Sequence, residues 1–376
     1  MPRMEKLFEH IWNKRRNISG KRHETKKVNQ PRRMELYKDI KLTDEQKKEI
    51  DKLWEDNYGK KIPYNWHRLY QSYTGNYDVN YFPELFFIPE FQLKMNPRDY
   101  SNVLGDKNLL PLLTEGTNIK IPKLIVTTVE GIYRDSKNNL ISKKEAINII
   151  KDYKEDLFIK PSTGTSSGKG CKVINFYKEQ ENIKINKVCS LLAEYKYNFS
   201  IQERLINSKL LRKLHPSSIN TFRVMTYIFK NKIYHMPVII RIGQGGNNVD
   251  NAHAGGMFIG IKDSGELCDR AFLEFGESYT EHPDSKIKFE DYKIKDIKKI
   301  IESAKILHSK IPQLRLISWD LTLDSEEEVV LIELNLRGQS IWLPQIAHGC
   351  GAFGENTKDI LKWMRQKKKG EEVCTK

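Results

Sequence analysis

The sequence has few cysteines, no long apolar run and no residue spacing typical of a structural metal site. The five cysteines among 376 residues are scattered, and none are spaced as Cys-x-x-Cys. We therefore expect neither a disulfide framework nor a structural zinc site. No stretch approaches the roughly 18 apolar residues of a membrane-spanning helix, and the first ten residues lack the apolar segment of a secretory signal. We expect a soluble, cytoplasmic protein.

The chain is strongly basic, with 64 Lys and Arg against 49 Asp and Glu and a net charge of +15. This balance favours anionic partners such as nucleotides, acidic sugars or an anionic membrane surface. Residues 14–33 and 367–369 are dense in positive charge. We interpret the N-terminal stretch either as a plain surface arm or as a weak contact with a membrane surface. Aromatic residues are not interleaved with basic ones in a strand-rich module, so we expect no specific nucleic acid partner.

Changes in composition divide the chain into five segments. Residues 1–40 are predicted as a basic arm with a short amphipathic helix and a solvated linker, and residues 366–376 as a basic tail. Residues 41–104 are helical and aromatic-rich, with Thr43 and Gln46 forming a capping box at a helix start. The aromatic stretch is either core or the wall of a substrate site. Residues 105–200 and 201–365 alternate strand and helix patterns, which indicates two subdomains that mix both elements.

A loop rich in Gly, Ser and Thr follows a lysine that ends a strand. Lys160 precedes this loop, which contains Ser162, Thr163 and Gly168. Glycines let backbone N–H groups approach phosphate oxygens closely, and the hydroxyls add donors. The loop lacks the Lys-Ser/Thr of a P-loop, and a strand follows it instead of a helix. We interpret it as a lid over phosphates; an ordinary Gly/Ser hairpin is the alternative.

Two acids and an amide face one another across a predicted hairpin near the C-terminus. Alternation puts Glu333 and Asn335 on one face of a strand, and the short turn brings Asp320 opposite them. Carboxylate and amide oxygens are ligands that Mg²⁺ accepts together with phosphate oxygens. Apolar neighbours indicate that the acids are partly buried, and buried carboxylates need cations. Surface acids on an antiparallel sheet are the alternative.

Three further features lie between these two sites. Gln202, Glu203 and Arg204 form a strand-to-loop passage that could read an adenine edge and ribose hydroxyls. Arg223, on a strand, could hold a transferring phosphoryl group, although an arginine there is more often solvated. A polar, Gly-rich loop could line the substrate end, with His253 as a candidate base and His282 sharing that ambiguity. The substrate candidates are Asn220, Asp250, Asn251, His253, Gly255 and Gly256.

In their order along the chain, these features resemble an ATP-grasp enzyme. More narrowly, residues 105–365 resemble the sugar-transfer-associated ATP-grasp proteins found with bacterial surface-polysaccharide genes. The resemblance implies an α+β fold with two subdomains that clasp ATP behind an N-terminal helical region. It also implies ATP and one or two Mg²⁺ ions as cofactors.

The resemblance assigns roles by position. Asp320, Glu333 and Asn335 would hold Mg²⁺, and Arg223 would neutralise the γ-phosphate or an acyl phosphate. After Asn335 the sequence continues Leu-Arg337-Gly-Gln339 and lacks the Pro-Gly found there in D-alanine–D-alanine ligases. Arg337 could instead meet a substrate carboxylate or phosphate, and Gln339 is a further substrate candidate. Lys160, Arg223 and Arg337 are the implied catalytic set. The implied nucleotide-binding set is Lys160, Ser162, Thr163, Gly164, Ser166, Ser167, Gly168, Gln202, Glu203, Arg204 and Leu205.

The predicted activity is an ATP-dependent ligase that joins a carboxylate to an amine or thiol through an acyl phosphate. The family association suggests an acidic or glycan-linked substrate. A kinase that uses the same ATP site is the first alternative, and a basic polyanion-binding protein without activity is the second.

Overall fold

A computed structural model describes residues 2–163, 168–245 and 255–369 of the chain. The N-terminal hundred residues are helical. Eight helices precede the first strand: α1 (Pro2–Val28), α2 (Pro31–Tyr37), α3 (Asp44–Tyr58), α4 (Asn65–Thr74), α5 (Glu84–Phe86), α6 (Gln92–Met95), α7 (Arg98–Val103) and α8 (Leu110–Thr114). A π-helical turn, Phe87–Phe91, joins α5 to α6. The capping box predicted at Thr43 and Gln46 is confirmed at the start of α3.

The prediction of a short helix and a solvated linker for residues 1–40 is wrong. This segment forms α1 and α2, with a two-residue connection between them. Val28 and Tyr37 are buried in the hydrophobic core of the helical region, and Glu24 and Arg33 are buried beside them. High charge density hid these few core positions, because α1 is polar over most of its surface.

The first sheet has six strands in the order β3-β2-β1-β6-β4-β5. Its strand pairs are antiparallel. Helices α9 (Lys143–Asp152) and α10 (Glu181–Tyr195) share a hydrophobic core with this sheet. The strands are β1 (Leu124–Val129), β2 (Ile132–Asp135), β3 (Leu140–Ile141), β4 (Leu157–Pro161), β5 (Lys172–Ile174) and β6 (Phe199–Glu203).

The second sheet has eight strands, with β12-β11-β10-β9-β7-β13-β14 in order and β8 paired to β7. Helix α12 (Ile297–Ser309) packs on it, and the short α11 (Lys209–Leu214) leads into β7. The strands are β7 (Thr221–Phe229), β8 (Lys232–His235), β9 (Val238–Ile242), β10 (Met257–Ile261), β11 (Ala271–Phe272), β12 (Ser278–Tyr279), β13 (Leu316–Leu323) and β14 (Val329–Asn335). Every residue of β9, β10 and β13 is buried, which explains their nearly continuous apolar sequences.

The last two helices, α13 (Trp342–His348) and α14 (Thr357–Lys369), join the N-terminal helical region. Phe353 and Trp363 stack edge-on against Phe91, and Phe82 contacts Trp54 and Phe353. The aromatic stretch therefore belongs largely to this hydrophobic core and is not the wall of a substrate site. Among the described residues, none of the helices combines the length and apolarity needed to cross a bilayer.

Glu84 anchors α13 to the helical region. Its Oε1 accepts hydrogen bonds from Ser340 Oγ at 2.6 Å and from the backbone N–H groups of Ile341 and Trp342 at 2.7 and 2.8 Å. The side chain is fully buried, and burial together with the nearby Glu24 raises its pKa to about 7. Below about pH 7 the protonated form is therefore favoured in the folded protein.

We predict that folding stability decreases as the pH rises from about 4.5 to about 7, because the folded protein holds the Glu84 proton more tightly than the unfolded chain. The contribution is up to about 3 kcal/mol. Glu84→Gln keeps the acceptor oxygen and removes the titration. Urea unfolding of both proteins between pH 5 and 8 should show the wild type losing stability relative to the variant. Parallel curves would contradict this assignment.

Candidate active site

A cleft of about 1260 Å³ is lined by residues of both sheets. The first sheet contributes Lys160 on β4 and Gln202 on β6, and the second contributes Arg223 on β7 and Asp320 on β13. The residues predicted to bind phosphate and those predicted to bind metal therefore face a common space. Predicted residues that line it are Lys160, Gly168, Gln202, Arg204, Leu205, Arg223, Asp320, Glu333, Asn335, Arg337 and Gln339.

The strand register sets three charged residues in a row across the floor of the cleft. Asp320 on β13 pairs with Arg223 on β7 on one side and with Glu333 on β14 on the other. Asn335 is two residues beyond Glu333 and therefore on the same face. The hairpin that the sequence predicted brings these groups together as expected.

Two arginines hold the Asp320 carboxylate. Arg223 donates from Nε to Oδ1 and from a terminal nitrogen to Oδ2, both at 3.0 Å. Arg241 approaches Oδ2 to 3.1 Å, and the Asn335 amide donates to the same oxygen at 3.2 Å. Burial acts to raise the pKa of Asp320, but the two arginines outweigh it and hold that pKa well below its usual range. The carboxylate is therefore ionised, as a metal ligand must be.

Glu333 and two lysines complete the charged floor. Lys107 Nζ lies 3.4 Å from Glu333 Oε2. Lys160 Nζ lies 3.4 Å from the carbonyl oxygen of Ile332. Burial lowers the pKa of Lys160 to about 8, while the Glu333 carboxylate acts in the opposite direction. An anion bound beside this lysine would favour its charged form.

The residues present fit a magnesium–triphosphate group. Four cations, Lys107, Lys160, Arg223 and Arg241, contact or surround two carboxylates, which leaves positive charge in excess in a largely buried place. Asp320 and Glu333 supply hard anionic oxygens for Mg²⁺, and Asn335 supplies an amide. The groups of three or more His, Cys, Asp or Glu that form an all-protein metal cage are absent from the described residues. A metal held by few protein ligands and by phosphate is typical of Mg²⁺.

Several predicted site residues either do not line the cleft or are paired with other side chains of the protein. Glu203 contacts Lys123 and the Tyr153 hydroxyl, and Arg204 pairs with Asp156 at 3.1 Å. Ser162 is fully buried, Thr163 is exposed, and neither lines the cleft. The remaining predicted site residues lie outside the described part of the chain, namely Gly164, Ser166, Ser167, Asp250, Asn251 and His253.

The prediction of Asn220 as a substrate contact does not fit the structure. Its side chain is fully buried and donates to the carbonyl oxygens of Leu211 and His215 at 2.8 and 2.9 Å, so it braces the turn before β7. His282 is also fully buried. Its Nε2 bonds the Gly243 carbonyl, and its Nδ1 accepts from two backbone N–H groups, which indicates a structural role. Gly255 and Gly256 do not line the cleft.

Gln202 and Gln339 are both buried and line the cleft. The Oε1 atom of each lacks a hydrogen-bond partner among the described residues. A buried amide oxygen without a partner is costly and is usually satisfied by a ligand or by water. Both residues therefore remain predicted ligand contacts, Gln202 for the nucleotide and Gln339 for the substrate.

Sequence reasoning missed Lys107 and Arg241. Arg241 interrupts an otherwise apolar strand, Val238–Ile242, and is buried there. A lone charge inside an apolar strand signals a buried ion pair, so this residue could have been found. Lys107 begins a short 3₁₀ turn, Lys107–Leu109, and its position beside Glu333 depends on tertiary packing alone.

A family model identifies the family to which the chain belongs. The model of the sugar-transfer associated ATP-grasp family matches residues 87–360. The chain belongs to this family and has the ATP-grasp fold. A comparison with curated proteins finds no match.

Solved structures give matches of low identity. The chain is similar to D-alanyl-alanine synthetase A from Vibrio cholerae, with 12% identity, a TM-score of 0.41 and coverage of 71% of this chain and 66% of the other. It is similar to the D-Ala:D-Ser ligase from Enterococcus faecalis, with 14% identity, a TM-score of 0.42 and coverage of 70% and 61%. It is also similar to D-alanine–D-alanine ligase from Helicobacter pylori, with 16% identity, a TM-score of 0.40 and coverage of 72% of this chain and 61% of the other. The chain thus spans about two thirds or less of these proteins, and the matches say nothing about its substrate.

We predict that Asp320→Asn lowers the free energy of unfolding by about 3 kcal/mol, because Arg223 and Arg241 lose the carboxylate that both contact. Glu333→Gln is the matched control, since it makes the same change on the neighbouring strand where the side chain is 30% exposed. Its cost should be below about 1 kcal/mol. Urea unfolding of the three proteins measures the difference. Equal losses in the two variants would show that the arginine pair does not depend on Asp320.

Proposed function

We propose that the protein is an ATP- and Mg²⁺-dependent ligase that joins a carboxylate to an amine or thiol. The activity would serve surface-polysaccharide or sugar-conjugate synthesis, a role that the family description suggests. As part of this proposal we place the protein in the cytoplasm, where ATP is supplied. The observation that supports it best is the row of Arg223, Asp320 and Glu333 facing Lys160 across the cleft.

The proposed reaction has two steps. An oxygen of the substrate carboxylate attacks the γ-phosphorus of ATP, which forms an acyl phosphate and releases ADP. The lone pair of the amine or thiol then attacks the acyl carbon, the C–O bond to phosphate breaks, and inorganic phosphate leaves. The nucleophile loses its proton in this second step. Neither step requires a covalent bond to the protein, so positioning and charge neutralisation supply most of the rate.

Each charged residue has a part in this scheme. Lys160 would bind the α- and β-phosphates from the first sheet. Arg223, whose guanidinium is fixed by Asp320, would face the transferring phosphoryl group. Asp320, Glu333 and Asn335 would hold Mg²⁺, which when bound neutralises phosphate oxygens as a Lewis acid. Gln202 and Leu205, which also line the cleft, would contact the base.

We predict that Lys160→Met weakens the binding of a non-hydrolysable MgATP analogue by at least about tenfold, because it removes a buried cation that faces the phosphates. Lys144→Met is the control, since Lys144 is exposed on α9. Calorimetric titration gives both affinities. Equal binding by all three proteins would contradict the assignment of the phosphate site, and no binding by the wild type would contradict the proposed function.

The reaction type can be tested by trapping with hydroxylamine. With MgATP, hydroxylamine and a panel of uronic and other sugar acids, a ligase should give a hydroxamate, with ADP and phosphate released in equal amounts. Glu333→Gln should reduce this rate by at least about a hundredfold, because a metal ligand is lost. A phosphorylated product without free phosphate would instead identify a kinase. Binding of polyanions that is unaffected by Asp320→Asn, with no ATP turnover, would identify a non-enzymatic binding protein.

A further inference from the structure

Two arginines lie over the exposed ring of Trp12, and a third arginine, which lines the cleft, is bonded to the backbone of one of them. They are Arg16 on α1, Arg98 at the start of α7, and Arg337 in the loop after β14. The guanidinium carbon of Arg16 lies 5.0 Å from the centre of the Trp12 ring, and that of Arg98 lies 4.6 Å from it. We call Arg16, Arg98 and Arg337 the arginine cluster.

Arg337 connects the arginine cluster to the cleft. Its side chain lines the cleft, two residues beyond the predicted metal ligand Asn335. Its Nε donates to Ser101 Oγ at 2.8 Å, and a terminal nitrogen donates to the carbonyl oxygen of Arg98 at 2.7 Å. These bonds fix the guanidinium against α7. These bonds involve neither Asp320 nor Glu333, so Arg337 is additional to the cations that surround the predicted metal site.

The arginine cluster has more positive charge than its surroundings compensate. Among the described side chains, no carboxylate lies within ion-pair distance of any of the three arginines. Of the acids in the described part of the chain, Asp99 acts on Arg337 and favours its charged form. Burial, followed by repulsion from neighbouring arginines, lowers the pKa of both Arg16 and Arg337. Three like charges that are only partly compensated repel one another, and an anion that binds among them would relieve the repulsion.

The arginine cluster is not explained by the family alone. The family match begins at residue 87, so Trp12 and Arg16 come from a part of the chain outside it. Helix α1 adds a cation and an aromatic ring beside Arg98, whose carbonyl oxygen accepts a hydrogen bond from Arg337. Arg98 and Arg337 are exposed, so a group attached to a bulky molecule can reach them.

We propose that the arginine cluster binds a phosphate group that is already part of a substrate of the ligation reaction. Among the described side chains, the three guanidiniums are set against one acid, Asp99, which leaves an excess of two positive charges. A phosphate monoester dianion balances that excess, whereas a carboxylate balances half of it. Guanidinium groups also match phosphate oxygens through paired N–H donors. The proposal rests on the proposed ligase function, since it assigns that substrate a phosphate on a sugar or on a lipid carrier.

The test is a calorimetric titration of inorganic phosphate into the full-length protein at constant ionic strength. Magnesium and a non-hydrolysable ATP analogue are present at saturation, so that the nucleotide phosphate positions are already filled. The proteins compared are the wild type, Arg16→Gln, Arg98→Gln, Arg337→Gln and the control Arg22→Gln. Arg22 is exposed on the same helix, so its replacement removes the same charge. A second arm measures binding to phosphatidylcholine vesicles with and without phosphatidic acid.

We expect the three cluster variants to bind phosphate at least about tenfold more weakly than the wild type, and Arg22→Gln to bind within about twofold of it. Affinity for the ATP analogue should be unchanged in Arg16→Gln, Arg98→Gln and Arg22→Gln, which shows that these variants are folded, and circular dichroism checks the fold of Arg337→Gln. Phosphate binding with this pattern supports a soluble phosphorylated substrate. The same pattern seen only with phosphatidic acid vesicles supports a phosphate on a lipid carrier.

Two results would overturn the proposal. In the first, the wild type and the cluster variants do not differ in their affinity for phosphate, and they do not differ in their affinity for phosphatidic acid vesicles. The second is a loss in Arg22→Gln as large as in the cluster variants, which would indicate general charge attraction. If the wild type instead fails to bind the ATP analogue, the proposed ligase function fails, and this outcome is distinct from failure of the phosphate site.

Discussion

The ionised carboxylate of Asp320, held by Arg223 and Arg241, is the interaction on which the site depends. Asp320 lies on β13, a strand of which every residue is buried. A charge in such a place is tolerated only with close counter-charges and hydrogen bonds. The two arginines and the Asn335 amide provide them, and in doing so they fix the orientation of one another. The floor of the cleft is therefore ordered before any ligand binds, and preorganised charge is what stabilises charge that develops in a reaction.

Side chains of the helical region hydrogen-bond to the strands that form this floor. Asn96, just after α6, donates to the carbonyl oxygens of Leu316 and Leu336 at 2.6 and 2.9 Å, and its Oδ1 accepts from the N–H groups of Arg315 and Leu316. One buried amide thus ties the start of β13 to the end of β14, the two strands that hold Asp320 and Glu333. Glu84 fixes the loop after Arg337 in a similar way. The helices are therefore part of the architecture of the site.

Local patterns predicted the elements that hold the site. Alternation along β14 and the short hairpin turn correctly placed Asp320 opposite Glu333, and the order of motifs predicted the family. Residues whose position depends on distant packing were not predictable in this way. Lys107 reaches Glu333 only because its turn packs beside β4, where its N–H bonds the Ser162 carbonyl. Asn220 had the polarity of a ligand contact, and only burial reveals it as a brace. In α1, abundant charge hid the few residues that pack into the core.

The central claim is that Lys160 and the Asp320–Glu333 pair share one metal-bound triphosphate. The most direct test is a crystal structure with a non-hydrolysable ATP analogue and Mn²⁺, with the metal located by its anomalous scattering. The account predicts a manganese peak beside Asp320 and Glu333, with the phosphates between that metal and the Lys160 ammonium. A nucleotide bound elsewhere on the protein, or a metal peak remote from both carboxylates, would contradict it.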